Sequence, residues 1–202
     1  MMRLILMRHG ETTWNAESRL QGQDNSSLSE RGIEQVRRFR AFLKALNPAR
    51  VVASDLGRTR QTAELIGHGD CPSDARLREW DMGSWTGKTK PELIAANAEL
   101  YHSWRAGQHT PEGSEPWSVF RARVEEGLRD WMGQGTGDLL AVVHGGVTRA
   151  ALHAFLDLPP SRVIPVTPGT GTILSFPKGG NGQALLEGYN IGSVVPDLSV
   201  AD

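Results

Sequence analysis

Cysteine is nearly missing. Cys71 stands alone among 202 residues, so the chain closes no internal disulfide and builds no cysteine zinc cluster. A reducing compartment is the plain reading. An excess of one charge is missing as well: 22 Lys and Arg face 23 Asp and Glu, a net charge of -1. That balance offers no polyanion-binding surface and argues against a nucleic-acid partner. Long apolar runs are absent too. Nothing approaches the roughly 20 residues of a membrane span, and the run Leu4-Ile5-Leu6-Met7 is stopped by Arg8-His9, short of a signal h-region. These absences predict a cytoplasmic protein with no membrane partner. Low-complexity tracts and internal repeats are missing, and 39% apolar with 22% charged residues fits an ordered chain. The length admits one well-buried core and is short for two domains with linkers, so a single domain over residues 1–202 is expected.

What is present is an alternation of short apolar runs with helical patterns, which predicts an α/β sheet. Strands are expected at residues 3–7, 50–53 and 138–143, and two more near 171–176 and 184–189 flank Gly179-Gly180-Asn181-Gly182, a hairpin signal. Ser29 is placed to cap a helix whose apolar positions run from Ile33 to Leu46, stopped by Asn47-Pro48. Asp55 is placed to cap a helix to about Ile66, with Arg58 in its first turn and Gly67 as its stop. Residues 77–79 read as a short extended piece before the Gly/Trp-rich turn at 82–87. Thr89-Lys90-Pro91-Glu92 matches a capping box that opens a helix to about Trp104. Ser114 and Pro116 open another, striped by Trp117, Phe120, Val124, Leu128 and Trp131. A last helix follows His144-Gly145-Gly146 to Leu156. The stretch from 83 to about 113 has the least sheet character and is the expected cap.

Ligands of open α/β sheets bind beyond the carboxyl ends of the strands. Three strand-to-helix junctions here deliver Arg8-His9-Gly10, Asp55 to Arg58, and His144-Gly145-Gly146, and Glu79 ends the short extended piece. Each alone reads equally well as surface polarity or a satisfied core side chain. Arg58 is unfavourable beside a helix N-terminus unless an anion lies between them. Two Arg, two His and one Glu on one edge make an anion site with a nucleophile and an acid within it. His68, His102, His109 and His153 are scattered and form no metal-ligand cluster, and His68 and His153 read as structural or exposed.

Leu6-Met7-Arg8-His9-Gly10-Glu11-Thr12 with Trp14-Asn15 resembles the signature of the histidine phosphatase superfamily, the phosphoglycerate-mutase-like group. Gln21-Gly22 and Leu28-Ser29 with Gly32 resemble its next block, and Ala53-Ser54-Asp55-Leu56 with Arg58 and Gln61-Thr62-Ala63 its second arginine motif. Leu77 and Glu79 with Gly83, Trp85 and Gly87 resemble the acid motif. Val143-His144-Gly145-Gly146-Val147 with Arg149 resembles the second histidine motif. The resemblance implies a three-layer α/β/α sandwich with a mainly parallel central sheet and a small helical cap. It implies a phosphomonoester hydrolase acting through phosphohistidine on small metabolites, with no metal or cofactor. His9 is then the nucleophile, Arg8 and Arg58 clamp the phosphoryl oxygens, His144 contacts that group, and Glu79 is acid and then base. Asn15, Gln21, Gly22 and Gly145 line the phosphate and substrate pocket by the same resemblance.

The chemistry suits those residue types. A transferring phosphoryl group spreads charge over three oxygens, so positioning and electrostatics dominate, and an arginine fork donates bidentately while staying charged. His9 must attack as neutral imidazole, which two neighbouring cations favour. Glu79 can protonate an alkoxide if burial or the phosphate lifts its pKa. Mutases of the group carry a longer insertion after the acid motif with extra basic residues, whereas residues 83–113 offer only Lys88, Lys90, Arg105, His102 and His109. Hydrolysis is therefore the leading reading, with cofactor-dependent phosphoglycerate mutase and a non-catalytic phospholigand-binding module as alternatives. Two departures from the group's pattern, Thr86 in Trp85-Thr86-Gly87 and the exchanged order Ser114-Glu115 after Gly113, fall where cap and substrate meet and bear on specificity. Trp104 and Trp117 read as packing two cap helices together, and Trp85 as a ligand contact. Oligomeric state is not legible in the surface composition, with a homodimer kept as one option.

Overall fold

A computed structural model describes residues 1–177 and 184–192. Among these, β1 (Met2–Arg8), β2 (Arg50–Ala53), β3 (Leu139–Val143), β4 (Gly171–Phe176) and β5 (Leu185–Ile191) form one sheet in the order β2-β3-β1-β4-β5. β3 pairs in parallel with both β1 and β2, and β4 pairs antiparallel with β1 and β5. The sheet is mixed: four strands share a direction and β4 is reversed. The turn expected at Gly179-Gly180-Asn181-Gly182 lies outside the described residues.

Strand alternation sends side chains to opposite faces. Leu4, Leu6, Leu139, Ala141 and Val143 pack on one face with Phe120, Val124, Leu128, Val147 and Ala151. Ile5, Met7, Leu140 and Val142 pack on the other with Val36, Phe39, Leu43, Ala63 and Ile66. Thus α2 (Glu30–Leu46) and α3 (Gly57–Leu65) cover one face, and α5 (Trp117–Gly133) and α6 (Gly145–Leu156) the other. These are the three expected layers. Each such aliphatic side chain contributes about 1.5–3 kcal/mol by leaving water; beside β1, β3 is buried throughout and β4 everywhere but at Phe176.

The helix boundaries follow local chemistry. Ser29 Oγ accepts from Gly32 N (3.0 Å) at the start of α2, and Asn47 closes it in the left-handed conformation. α4 (Lys90–Arg105) opens with the expected box, Thr89 N donating to Glu92 (2.7 Å) while Glu92 N donates to Thr89 Oγ1 (3.3 Å). It is not one continuous helix. Asn97 is extended, and its side-chain oxygen accepts from Leu100 N (2.9 Å), capping a second segment.

Two expectations fail locally. Asp55 does not cap α3; Leu56 occupies that position without a side-chain bond, and Asp55 pairs with Arg78 (2.6 Å). A forked guanidinium holds a carboxylate better than one backbone N–H does. Residues 77–79 are not extended as a strand. Asp74 accepts from Arg76 N (2.8 Å) and starts a 3-10 turn at Ala75–Leu77, while the strand-like bridge falls earlier, between Ser73 and Ala53.

Candidate active site

Parallel register builds the site. Arg8 pairs with Val143 across β1 and β3, and Ala53 with Val142 across β2 and β3, so the three strands end level at one edge. His9 N donates to Val143 O (3.0 Å) and Ser54 N to Val142 O (3.0 Å). The next residues, His9 and His144, therefore lie side by side, their ring centroids 5.3 Å apart in an edge-on arrangement. Arg58 reaches the same point from the first turn of α3.

His9 is fixed in one tautomer. Its Nδ1 lies 2.7 Å from Gly10 O, which only accepts, and its Nε2 lies 3.2 Å from Arg58 Nε, which only donates. The proton therefore sits on Nδ1, and Nε2 carries a lone pair. Burial, and then the charges of Arg58 and Arg8, hold the His9 pKa well below its ordinary 6.5. The cations expected to keep the ring neutral do so, but desolvation is the larger cause. Arg58 is itself braced: Nη2 donates to Gly22 O (2.8 Å) and Nη1 to Asp24 O (2.6 Å). Arg8 donates from Nη1 to Val166 O. Burial pulls both guanidiniums down to about 10, against the opposing pull of Glu79, so both remain cations at neutral pH.

Glu79 is buried, and its carboxylate is held by two backbone donors, Trp80 N to Oε1 (2.8 Å) and Gly146 N to Oε2 (3.1 Å). The second bond satisfies an orphan N–H at the start of α6, where His144 supplies no side-chain cap. A Cβ on Gly146 would lie 2.2 Å from Glu79 Oε1, so any larger residue here must displace the Glu79 carboxylate. His144 is fully buried, and neither ring nitrogen has a hydrogen-bond partner among the described residues. Burial, followed by Arg58, His9, Arg8 and Arg123, holds its pKa well below 6.5. Two persistent cations beside two imidazoles held neutral form an edge that favours an anion.

The pocket residues suggested by resemblance divide. Gly22, at φ +53°, turns its carbonyl to Arg58, and Gly145 begins α6 beside His144. Gln21 is buried but points its amide at Thr12 Oγ1 (2.7 Å), and Asn15 spends its side-chain oxygen on Thr12 N (3.2 Å) in the cap of α1 (Thr13–Ala16). These two brace the loop after β1 rather than meeting the imidazoles. Trp104 and Trp117 do not pack as a pair; each meets Trp80 instead, at 5.4 and 5.1 Å between centroids. Trp85 is nearly buried against Trp104 and His109. The exchanged Ser114-Glu115 makes contacts within the chain. Ser114 Oγ donates to Asp81 O, and Glu115 pairs with Arg123, so both tie down the chain around Glu79. Gly146 and Arg123 both contact Glu79, through Gly146 N to Oε2 and Arg123 Nη2 to the Glu79 carbonyl, contacts that motif reading passes over. A charged residue three positions after Phe120, on the buried face of α5, was the available signal for Arg123. Among the described residues, no group of three or more His, Cys, Asp or Glu gathers as a metal site, and no helix is long and apolar enough to cross a membrane.

Residues 4–188 match the family model of the histidine phosphatase superfamily (branch 1). A curated relative from Cronobacter sakazakii, named "Probable phosphoglycerate mutase", is 38% identical, the match covering 88% of this chain and 77% of the relative. The structure of a mycobacterial glucosyl-3-phosphoglycerate phosphatase superposes with a TM-score of 0.85 at 29% identity, over 94% of this chain and 99% of that one. The Bacillus stearothermophilus protein YhfR superposes with a TM-score of 0.82 at 31% identity, over 96% and 98%.

Proposed function

The chain belongs to the histidine phosphatase superfamily and is an enzyme of its phosphatase type, and on that premise we propose that it hydrolyses small phosphorylated metabolites through a phosphohistidine at His9. The Nε2 lone pair of His9 attacks phosphorus, and the bond from phosphorus to the leaving oxygen breaks. Glu79, in its acid form, hands that oxygen a proton. Water then attacks the phosphohistidine, the P–N pair returns to Nε2, and the Glu79 carboxylate takes the proton from water, releasing inorganic phosphate. Arg8 and Arg58 meet the charge on the equatorial oxygens, and the single N–H of neutral His144 donates to one of them. These steps call on no metal or cofactor.

The observation that carries this reading is the Arg58 Nε contact at 3.2 Å with His9 Nε2, opposite the Nδ1 contact with Gly10 O. It holds a neutral nucleophile whose Nε2 lone pair accepts from the Arg58 N–H, a donor that an arriving anionic phosphoryl group takes over, freeing the lone pair for attack. We assign residues 83–113, carried on α4, as the cap over this edge of a single domain, acting in the cytoplasm where the lone Cys71 stays reduced. A cap this short excludes water poorly, which favours hydrolysis over retention of the phosphoryl group.

The name of the Cronobacter relative favours a second reading, phosphoglycerate mutase. Phosphate release from a panel of phosphomonoesters, with 3-phosphoglycerate followed separately for isomerisation, separates the two. Net phosphate release, abolished by His9→Ala, is expected. Isomerisation to 2-phosphoglycerate outpacing release would overturn the hydrolase reading.

A further inference from the structure

The acid segment has no strand to hold it. After the 3-10 turn at Ala75–Leu77, residues 78–82 make no ladder bonds, yet Glu79 must keep its carboxyl in place. We propose that Arg123, locked by Glu115, is the positioning residue that fixes the Glu79 carboxyl for proton transfer. This rests on the reading of Glu79 as the acid.

One guanidinium gathers the segment. Arg123 Nη1 donates to Arg76 O (2.9 Å) and Arg78 O (2.8 Å), and Nη2 to Glu79 O (3.0 Å). Its Nε donates to Glu115 Oε2 (3.0 Å), while Nη2 also meets Glu115 Oε1. The group lies 4.8 Å from the centre of the Phe120 ring, which fixes its plane. Glu115 holds the far side of the same segment. Its backbone oxygen accepts from Trp80 Nε1 (2.8 Å) and its carboxylate from Asp81 N (3.3 Å). Glu79 is thus gripped through its own carbonyl and through both following residues, leaving its side chain to the N–H groups of Trp80 and Gly146. Every donor of the planar fork is used, and a lysine ammonium cannot reach three carbonyls and two carboxylate oxygens together.

A lost or misaimed acid penalises a poor leaving group and spares a good one. The test compares kcat/KM for glycerol phosphate with kcat/KM for 2,4-dinitrophenyl phosphate in the wild type, Arg123→Lys, Arg123→Met and Glu79→Gln. The ratio of the two values does not depend on the folded fraction of a variant. Glu79→Gln is expected to lose roughly 10²–10⁴ on glycerol phosphate and little on the dinitrophenyl ester. Arg123→Lys, with its charge retained, is expected to lose about tenfold or more on glycerol phosphate and to stay within about threefold on the dinitrophenyl ester. Equal losses on both substrates, or no loss in Arg123→Lys, would overturn the positioning role. Should Glu79→Gln itself show no dependence on the leaving group, the acid reading fails, whatever the Arg123 variants do.

Discussion

A histidine that attacks phosphorus must be neutral, and His9 meets that requirement through burial first and two neighbouring guanidiniums second. Its ring shifts, followed by NMR on the free enzyme, should therefore stay constant from pH 8 to 6.5, with protonation only well below 6.5. A midpoint at or above 6.5 would show that burial and the two cations together do not hold the ring neutral. Gly146 supplies a second residue-scale test. A Cβ added here would lie 2.2 Å from Glu79 Oε1, so Gly146→Ala should push the carboxyl aside and lower kcat about 10- to 100-fold on alkyl phosphates. Alanine suits the first turn of α6, so a change in stability beyond about 1 kcal/mol would point instead to general disruption. Of the candidate site, Arg8, His9 and His144 were legible because each ends or follows an apolar strand, and Arg58 and Glu79 because their motifs match the family's. Arg123 and Gly146 were not, since their roles exist only where α5 and α6 meet the acid segment.

At the scale of elements, local capping chemistry was readable where the partner lay within one turn. Ser29 and the Thr89–Glu92 box behave as their sequence spacing dictates. Asp55 does not, because Arg78, 23 residues away, offers it a forked ion pair. No reading of residues 55–58 alone could weigh that competitor. The break in α4 is a similar case: apolar spacing runs through Asn97 without interruption, but its side chain turns back to cap Leu100 N. Asn97→Ala should destabilise the protein by about 1 kcal/mol, as loss of an N-cap does. Unchanged thermal denaturation would show that the second segment needs no cap. The hairpin signal set β4 and β5 antiparallel to each other, as they are, but which of the two runs against β1 lay beyond the sequence pattern, since an apolar strand reads alike in either direction.

For the whole molecule, two imidazoles held neutral in the fold link stability to pH. His9 and His144 stay unprotonated when folded, whereas unfolded imidazoles bind protons as pH falls below about 6.5. The unfolded state then binds more protons, so stability present above that pH is lost on acidification, by up to about 1.4 kcal/mol per pH unit for each ring. Denaturant midpoints at pH 7.5 and 5.5 should fall more steeply for the wild type than for His9→Asn/His144→Asn. Equal slopes would contradict neutral burial of the pair. The layered sheet brings these side chains to one edge, and the proposed function assigns them a covalent step. Rapid acid-free quenching during turnover of a phosphomonoester, followed by mass spectrometry of the intact protein and its peptides, tests that step most directly. A single phosphoryl group, stable to base and labile to acid, should be found on the peptide bearing His9 and be missing from His9→Ala. Turnover with no phosphorylated protein under conditions that slow the second step, or a phosphoryl group on any other residue, would contradict the account.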